Sequence, residues 1–432
     1  MPKGPLSGTV SLVGAKNAVL VIMASTLLTE GTSVLTNVPV SADVLGMIEL
    51  LRELGAQVSF DKEKKRLVID TSDVKNFTVS PEIMKEMRAS VLVMGPLLAR
   101  FLRAHIVFPG GCLIGVRPID YHLKNFKKMG VSIHHVDELL KAETQKLQAT
   151  RLALEYPSVG ATENILMAAT LTEGVTTLVN AALEPEVLDL VEVLKKMGAN
   201  ISVVAPATIE VTGVSSLQPI EHEIIVDRLE AGTLLLAGVI SRGDVYVANA
   251  RAHDLDVFLM KLQEMGHEVE IGANGIGVRV KATPLPEAVS FKTGPYPGFP
   301  TDLQAPMMAA QCLAAGTCEI HETVFENRFL HVRELQKMGA QIKFLFGDKV
   351  QVKGVDALYG THVIASDIRA SCALVLAGLA AQGPTIMTGI KHWRRGYDKL
   401  EEKLISLGAS LTIDMPDELM QSGDLINLEQ QL

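Results

Sequence analysis

The sequence predicts an α/β protein built from six copies of one unit, three to each of two similar domains. Two recurring phrases and the chain length carry that prediction. The first phrase is an apolar helix end, a glycine, a small or apolar residue and then a strand; it reads ELLRELGAQV, NFKKMGVSI, EVLKKMGANI, KLQEMGHEVEI, ELQKMGAQIKF and KLISLGASLTI. Its glycines are Gly55, Gly130, Gly198, Gly266, Gly339 and Gly408, spaced 75, 68, 68, 73 and 69 residues apart. That regularity is the mark of an internal repeat, at a period longer than the usual solenoids. The second phrase is a small-residue helix, a turn and a strand, as in ASTLLTEGTSVLTNV, AATLTEGVTTLVNA, AGVISRGDVYVANA, AAQCLAAGTCEIHET and AGLAAQGPTIMTG. With 432 residues, 48% of them hydrophobic, the chain has enough apolar surface for two cores.

Taken in order, each unit reads strand, helix, strand, helix, strand. The glycine ends a helix in the left-handed conformation that only glycine adopts cheaply, and a strand begins after it. The alanine- and leucine-rich helices lack a polar face and are expected to be buried on most sides. The second unit, LLARFLRAHIVFPGG, keeps the pattern without the turn glycine. Residues from Asp414 to Leu432 are acidic and fall outside the repeat. The expected division is 16–226 for one domain and 1–15 with 227–432 for the other.

Composition narrows the function. No apolar run reaches the roughly 18 residues of a membrane span, so a cytoplasmic protein without a membrane partner is expected. The net charge of -9 disfavours a nucleic-acid partner. Cys112, Cys312, Cys318 and Cys372 have neither paired nor metal-ligand spacing, and no metal or other cofactor is expected. An anionic substrate would need cations concentrated in a cleft.

The repeat supplies such a place. The first helix of each unit opens on a polar cluster: GAKNA, MRAS, SVGAT, DRLEAG, FPTDLQA and SDIRAS. Helix N-termini present unpaired N–H groups and a positive partial charge, so converging openings would bind an anion, with Lys16, Arg88, Arg228 and Arg369 adding full charges. Capping and surface ion pairs are the plainer account of any one of them. Asp302 is read as an acid without an obvious cation beside it, a general base whose pKa rises when the cleft closes. Arg328 and Arg395 are read as opening the second helix of their units, placed to grip phosphate or carboxylate.

Cys112 lies in PGGCLIGVRPID, where glycines expose the thiol and Arg117 favours the thiolate. It is either a reactive thiol or a structural cysteine in a turn. GANGIG at 272–277 lies between short strands and reads as a hairpin turn rather than a dinucleotide fingerprint. His134 and His135 read as surface strand residues.

GAKNA, MRAS, PGGCLIGVRPID, SVGAT, EPE at 184–186, DRLEAG, FPTDLQA, FENRF, DIRAS and RGY together resemble the enolpyruvyl transferase family, in its branch acting on UDP-N-acetylglucosamine. The resemblance spans nearly the whole chain. It implies two inside-out, barrel-like α/β domains of three units each, and transfer of the enolpyruvyl group of phosphoenolpyruvate to the sugar 3-hydroxyl with release of phosphate, the first committed step of peptidoglycan synthesis. It further implies that Cys112 protonates the enolpyruvyl methylene and that Asp302 takes the sugar's hydroxyl proton. Phosphoenolpyruvate would be held by Lys16, Asn17, Arg117 and Arg395, supported by Arg328 and Arg369. The nucleotide sugar would lie against Arg88, Arg117, Pro118, Ile119, Asp120, Tyr121, Ser158, Val159, Gly160, Asp302 and Val324.

The sequence departs from the family pattern at Tyr156, at Leu183, at Arg394, whose added charge is expected to compete for the same anion as Arg395, and at a first strand expected to be short. Two rival readings stand beside this one. The sister transferase acting on shikimate 3-phosphate lacks the cysteine loop, and a retired paralogue that only binds a nucleotide sugar would need neither thiol nor base.

Overall fold

The computed structural model describes residues 4–80, 88–107, 119–136 and 139–413, with backbone alone at 88–90. Its helices alternate between interior and exterior as the two phrases require. The inner ones are Lys16–Ser25, Met94–Phe101, Val159–Thr170, Arg228–Ile240, Gln304–Gln311 and Ile368–Ala380. Every residue of Arg228–Ile240 and of Gln304–Gln311 is buried. Alanine and glycine let these helices approach one another, as where Gly95 leaves only 2.4 Å between a would-be Cβ and the backbone oxygen of Asn164. The outer helices Ala42–Glu53, Asp120–Lys128, Pro185–Lys196, Asp256–Glu264, His331–Lys337 and Leu400–Ser406 bury one side. Each buried valine or leucine contributes roughly 1.5–3 kcal/mol.

All six repeat glycines have positive φ, between 86° and 105°. At Gly55 the bonds from Gly55 N–H to Arg52 O and from Ala56 N–H to Leu51 O close the helix, and a side chain would be strained there. A strand then leaves in five of the six units. The sixth is the exception: residues 409–413 form no strand, and the sheet of that unit is only His362–Ile364 beside Ile386–Thr388. An edge partner is needed to satisfy a strand's backbone groups, and none of the described residues supplies one.

The other five sheets share one plan, three antiparallel strands with a parallel strand or bridge along one edge. Thr32–Thr36 pairs antiparallel with Arg66–Asp70 and parallel with Glu221–Glu223, so the chain's return from its third unit closes its first. Likewise Ser7–Val10 lies parallel to the start of Asp244–Arg251. That first strand is short, four residues against eight. Two hydrophobic cores result, one running from Ala15 to Ile224 and one combining Leu6–Leu12 with residues from Leu229 to Ala409. None of the described helices is long and apolar enough to cross a membrane. GANGIG is the turn between Glu268–Ile271 and Ile276–Lys281, and His134 and His135 are exposed on Ser132–Val136.

Candidate active site

Helix openings and the loops beside them place the charged residues. Three openings are explained by capping: Ser158 accepts from Ala161 N–H, Asp227 from Leu229 and Glu230, and Asp367 from Arg369 and Ala370. Arg228 is paired with the Glu186 carboxylate at 3.0 Å, while the openings at Lys16 and Asp302 lead into two linked clusters.

The first cluster centres on Asp302, in the 3-10 turn Thr301–Leu303 that leads into its inner helix. Its Oδ1 accepts from Arg328 Nη2 at 2.6 Å and its Oδ2 from Arg369 Nη2 at 2.7 Å. This corrects the expectation of an unpaired acid with a raised pKa. Burial alone pushes the Asp302 carboxyl up, but Arg369 and Arg328 together hold it well below the usual carboxylate range. Arg328 comes from the loop three residues ahead of His331–Lys337, not from the helix itself, and Arg369 from the first turn of Ile368–Ala380. The phenol of Tyr397 accepts from Arg369 Nη1 at 2.9 Å.

The second cluster joins the two halves. Asp43, in the first turn of Ala42–Glu53, accepts from Lys16 Nζ at 3.1 Å and from Arg395 Nε at 2.9 Å. Lys16 is seated by Gly14, where a Cβ would stand 2.1 Å from Asn37 O. Burial raises the Asp43 carboxyl, yet the two cations lower it below its ordinary value. Arg395 closes the short helix Ile390–Gly396 rather than opening one. Because Arg395 and Tyr397 sit two residues apart, one stretch of backbone carries a contact to each cluster.

Arg394 does not compete with its neighbour. Its Nη1 donates to Glu401 Oε1 at 2.6 Å, and Trp393 Nε1 donates to the other oxygen at 2.8 Å. The pair turns Arg394 towards helix Leu400–Ser406, so the expected competition for an anion falls away.

Ile119 to Tyr121 and Ser158 to Gly160 are neighbours across two helix openings, since a Cβ on Gly160 would meet the His122 ring at 3.3 Å. Tyr156 stands near both halves: burial first, then the charges of Glu184 and Glu322, push its phenol up to about 12. Leu183 packs against the first core. Asn17 is exposed, and Val324 enters through its backbone N–H, which donates to Glu322. Cys112, Arg117 and Pro118 lie outside the described residues, as does the side chain of Arg88, whose backbone begins the 3-10 helix Arg88–Val93.

Sequence reasoning missed Asp43 and Glu322. Asp43 looks like any first-turn acid, stabilising a helix N-terminus, and Glu322 like any acid after a strand. Only the approach of Arg395, 352 residues away, distinguishes the former.

Comparison with known proteins agrees with this architecture. The family model described as EPSP synthase (3-phosphoshikimate 1-carboxyvinyltransferase) matches residues 1–404. Proteins named UDP-N-acetylglucosamine 1-carboxyvinyltransferase are similar throughout. That of Caldanaerobacter subterraneus is 48% identical over 94% of this chain and 97% of its own, and that of Dichelobacter nodosus 45% over 94% and 96%. Among solved structures, the enolpyruvyl transferase NikO from Streptomyces tendae superposes with a TM-score of 0.85 at 25% identity, covering 94% of this chain and 96% of its own. An EPSP synthase from Acinetobacter baumannii reaches 0.73 at 16% identity, over 96% and 98%, a likeness of fold alone.

Proposed function

The chain belongs to the EPSP synthase family of carboxyvinyltransferases, and on that premise we propose that it transfers the enolpyruvyl group of phosphoenolpyruvate to the 3-hydroxyl of UDP-N-acetylglucosamine, releasing phosphate. The observation that carries this choice of acceptor is identity of 45–48% over nearly the full length with proteins named for that reaction. Likeness to EPSP synthases of solved structure stays at 16–17%.

The chemistry assigns roles within a division into residues 16–226 and residues 1–15 with 227–432. Cys112 donates a proton to the methylene of phosphoenolpyruvate, leaving a cationic centre at the neighbouring carbon. The sugar 3-hydroxyl adds there as Asp302 takes its proton, giving a tetrahedral adduct. Loss of a methyl proton and cleavage of the carbon–oxygen bond to phosphate then restore the double bond. Lys16, Asn17, Arg117 and Arg395 hold the anion, and clamping its oxygens stabilises the charge that develops. Arg88, Arg117, Pro118, Ile119, Asp120, Tyr121, Ser158, Val159, Gly160 and Val324 receive the nucleotide sugar.

The paired state of Asp302 supports a coupling between substrate and base. A carboxylate gripped by two guanidiniums is a weak base. Phosphoenolpyruvate, arriving as a competing anion for Arg328 and Arg369, loosens that grip and raises the basicity of Asp302 when the sugar hydroxyl needs it. Asp43 plays the matching part for Lys16 and Arg395, occupying them until the substrate anion arrives.

Phosphate release tests the assignment: it should require phosphoenolpyruvate and UDP-N-acetylglucosamine together. Release with shikimate 3-phosphate, and none with the nucleotide sugar, would overturn it.

A further inference from the structure

One carboxylate beside the site has no role in that scheme. Glu322 follows strand Thr317–His321 and is 1% exposed. Its Oε1 accepts from Thr293 Oγ1 at 2.9 Å, Val324 N at 2.9 Å and Phe325 N at 3.2 Å. Its Oε2 accepts from Thr301 Oγ1 at 2.9 Å. The same Thr301 oxygen accepts from Arg328 Nη1 at 2.8 Å, and Arg328 Nη2 reaches Asp302. The Arg328 guanidinium also lies 5.0 Å from the centre of the Phe325 ring.

A carboxylate that merely tied a turn would need the two amides and no more. Here the second oxygen points the other way, at the residue next to Asp302. A hydroxyl has a single proton, so while Thr301 gives it to Glu322, its lone pairs face Arg328. The direction of the chain Glu322, Thr301, Arg328, Asp302 is therefore set by Glu322, which can only accept while ionised. Burying an ionised carboxylate is costly unless it is hydrogen-bonded and faces a counter-charge. Four donors and Arg328, one hydroxyl away, offset part of that cost, while burial still pushes the Glu322 carboxyl above its ordinary value.

We propose that Glu322 is a positioning residue for the transfer step: through Thr301 it orients Arg328 and hence Asp302, and through the amides of Val324 and Phe325 it keeps the adjoining loop in register with that base. The proposal rests on the reading of Asp302 as the base. Glu322→Gln keeps the shape but brings an amide donor into a set of donors, so Thr301 or the loop must turn. Thr301→Val removes the link alone and leaves the amide bonds in place, while Thr301→Ser keeps the hydroxyl.

The test is steady-state phosphate release by the full chain, with each substitution made in both the Asp302 and the Asp302→Asn backgrounds. Glu322→Gln and Thr301→Val should lower kcat about 10- to 100-fold, the scale of a misplaced reacting group, and Thr301→Ser should restore it. Glu322→Gln alone should also raise the KM for UDP-N-acetylglucosamine. In the Asp302→Asn background neither should cost more than about twofold further in kcat, because residues acting through one group are not additive. A purely structural Glu322 would give effects that multiply with those of Asp302→Asn, or a lowered Tm with kcat unchanged, and either outcome overturns the proposal. Should Glu322→Gln not fold, Thr301→Val decides by itself. A wild-type chain inactive with both substrates would sink the assigned reaction and this proposal together, whereas an active one with multiplicative effects sinks this proposal alone.

Discussion

Replacing Asp302 with asparagine tests the site at its centre, because the change keeps shape and removes one charge. That carboxylate receives two charge-assisted bonds, of 2.6 and 2.7 Å, from guanidiniums that are themselves buried. Breaking a buried pair by removing one partner costs about 3–5 kcal/mol, and for a body of about 200 residues each kcal/mol lowers Tm by about 2–4 °C. A drop of roughly 6–20 °C is therefore expected in scanning calorimetry. An added anion should reverse part of it, since Arg328 and Arg369 lose the carboxylate that balances their charge. Inorganic phosphate at 100 times its Kd would return about 2.7 kcal/mol, and the gain should exceed that of the wild type, whose arginines are already occupied. Turnover should fall by about 100- to 10,000-fold as the base is lost, with affinity for phosphoenolpyruvate kept or improved. Near-normal turnover would show that the sugar proton leaves by another route. Phosphate stabilising both proteins equally would refute the competition between ligand and carboxylate for the two arginines.

Four further predictions concern Asp43, Glu230 and Cys112. Asp43→Asn should loosen the contact between the halves, read as a larger radius of gyration without ligand that UDP-N-acetylglucosamine and phosphoenolpyruvate reduce; identical scattering for variant and wild type would count against a bridging role. Because its folded pKa is depressed, Asp43 should contribute stability above its ordinary value of 3.8 that is lost as pH falls through the lower folded value. Glu230, paired with Lys403, is pushed by burial up to about 7. It binds its proton more tightly folded than unfolded, so its contribution is full below its ordinary 4.5 and lost as pH rises through about 7. The stability of wild type relative to Glu230→Gln should thus be lower at pH 8 than at pH 5 by on the order of 2 kcal/mol, and equal differences in urea midpoint at both pH values would contradict this. Alkylation of the native chain should map to Cys112, since burial pushes Cys318 up to about 12 and raises Cys312 and Cys372 as well; peptide mapping that finds Cys312, Cys318 or Cys372 labelled first would remove Cys112 from its role.

The repeat was legible without coordinates because it is written in local physics. A glycine with positive φ, as at Gly55 or Gly339, leaves its mark at one position, and a helix such as Arg228–Ile240, apolar from Leu234 onward, announces its burial through composition. So the α/β class, the inner and outer helices and the helix openings as sites for polar groups followed from sequence alone. In the sixth unit the repeat signal misled: ASLTI after Gly408 has the pattern of a strand, but 409–413 pair with no strand among the described residues. The charge states belonged to tertiary structure. Asp302 meets Arg369 across 67 residues, and Asp43 meets Arg395 across 352. A carboxylate's pKa depends on what stands within a few ångströms of it, and chain order does not record that distance. Which carboxylate is gripped by two guanidiniums, which arginine is already engaged, as Arg394 is by Glu401, and which buried glutamate ties a loop to its neighbour were decided only by the packing of the folded chain.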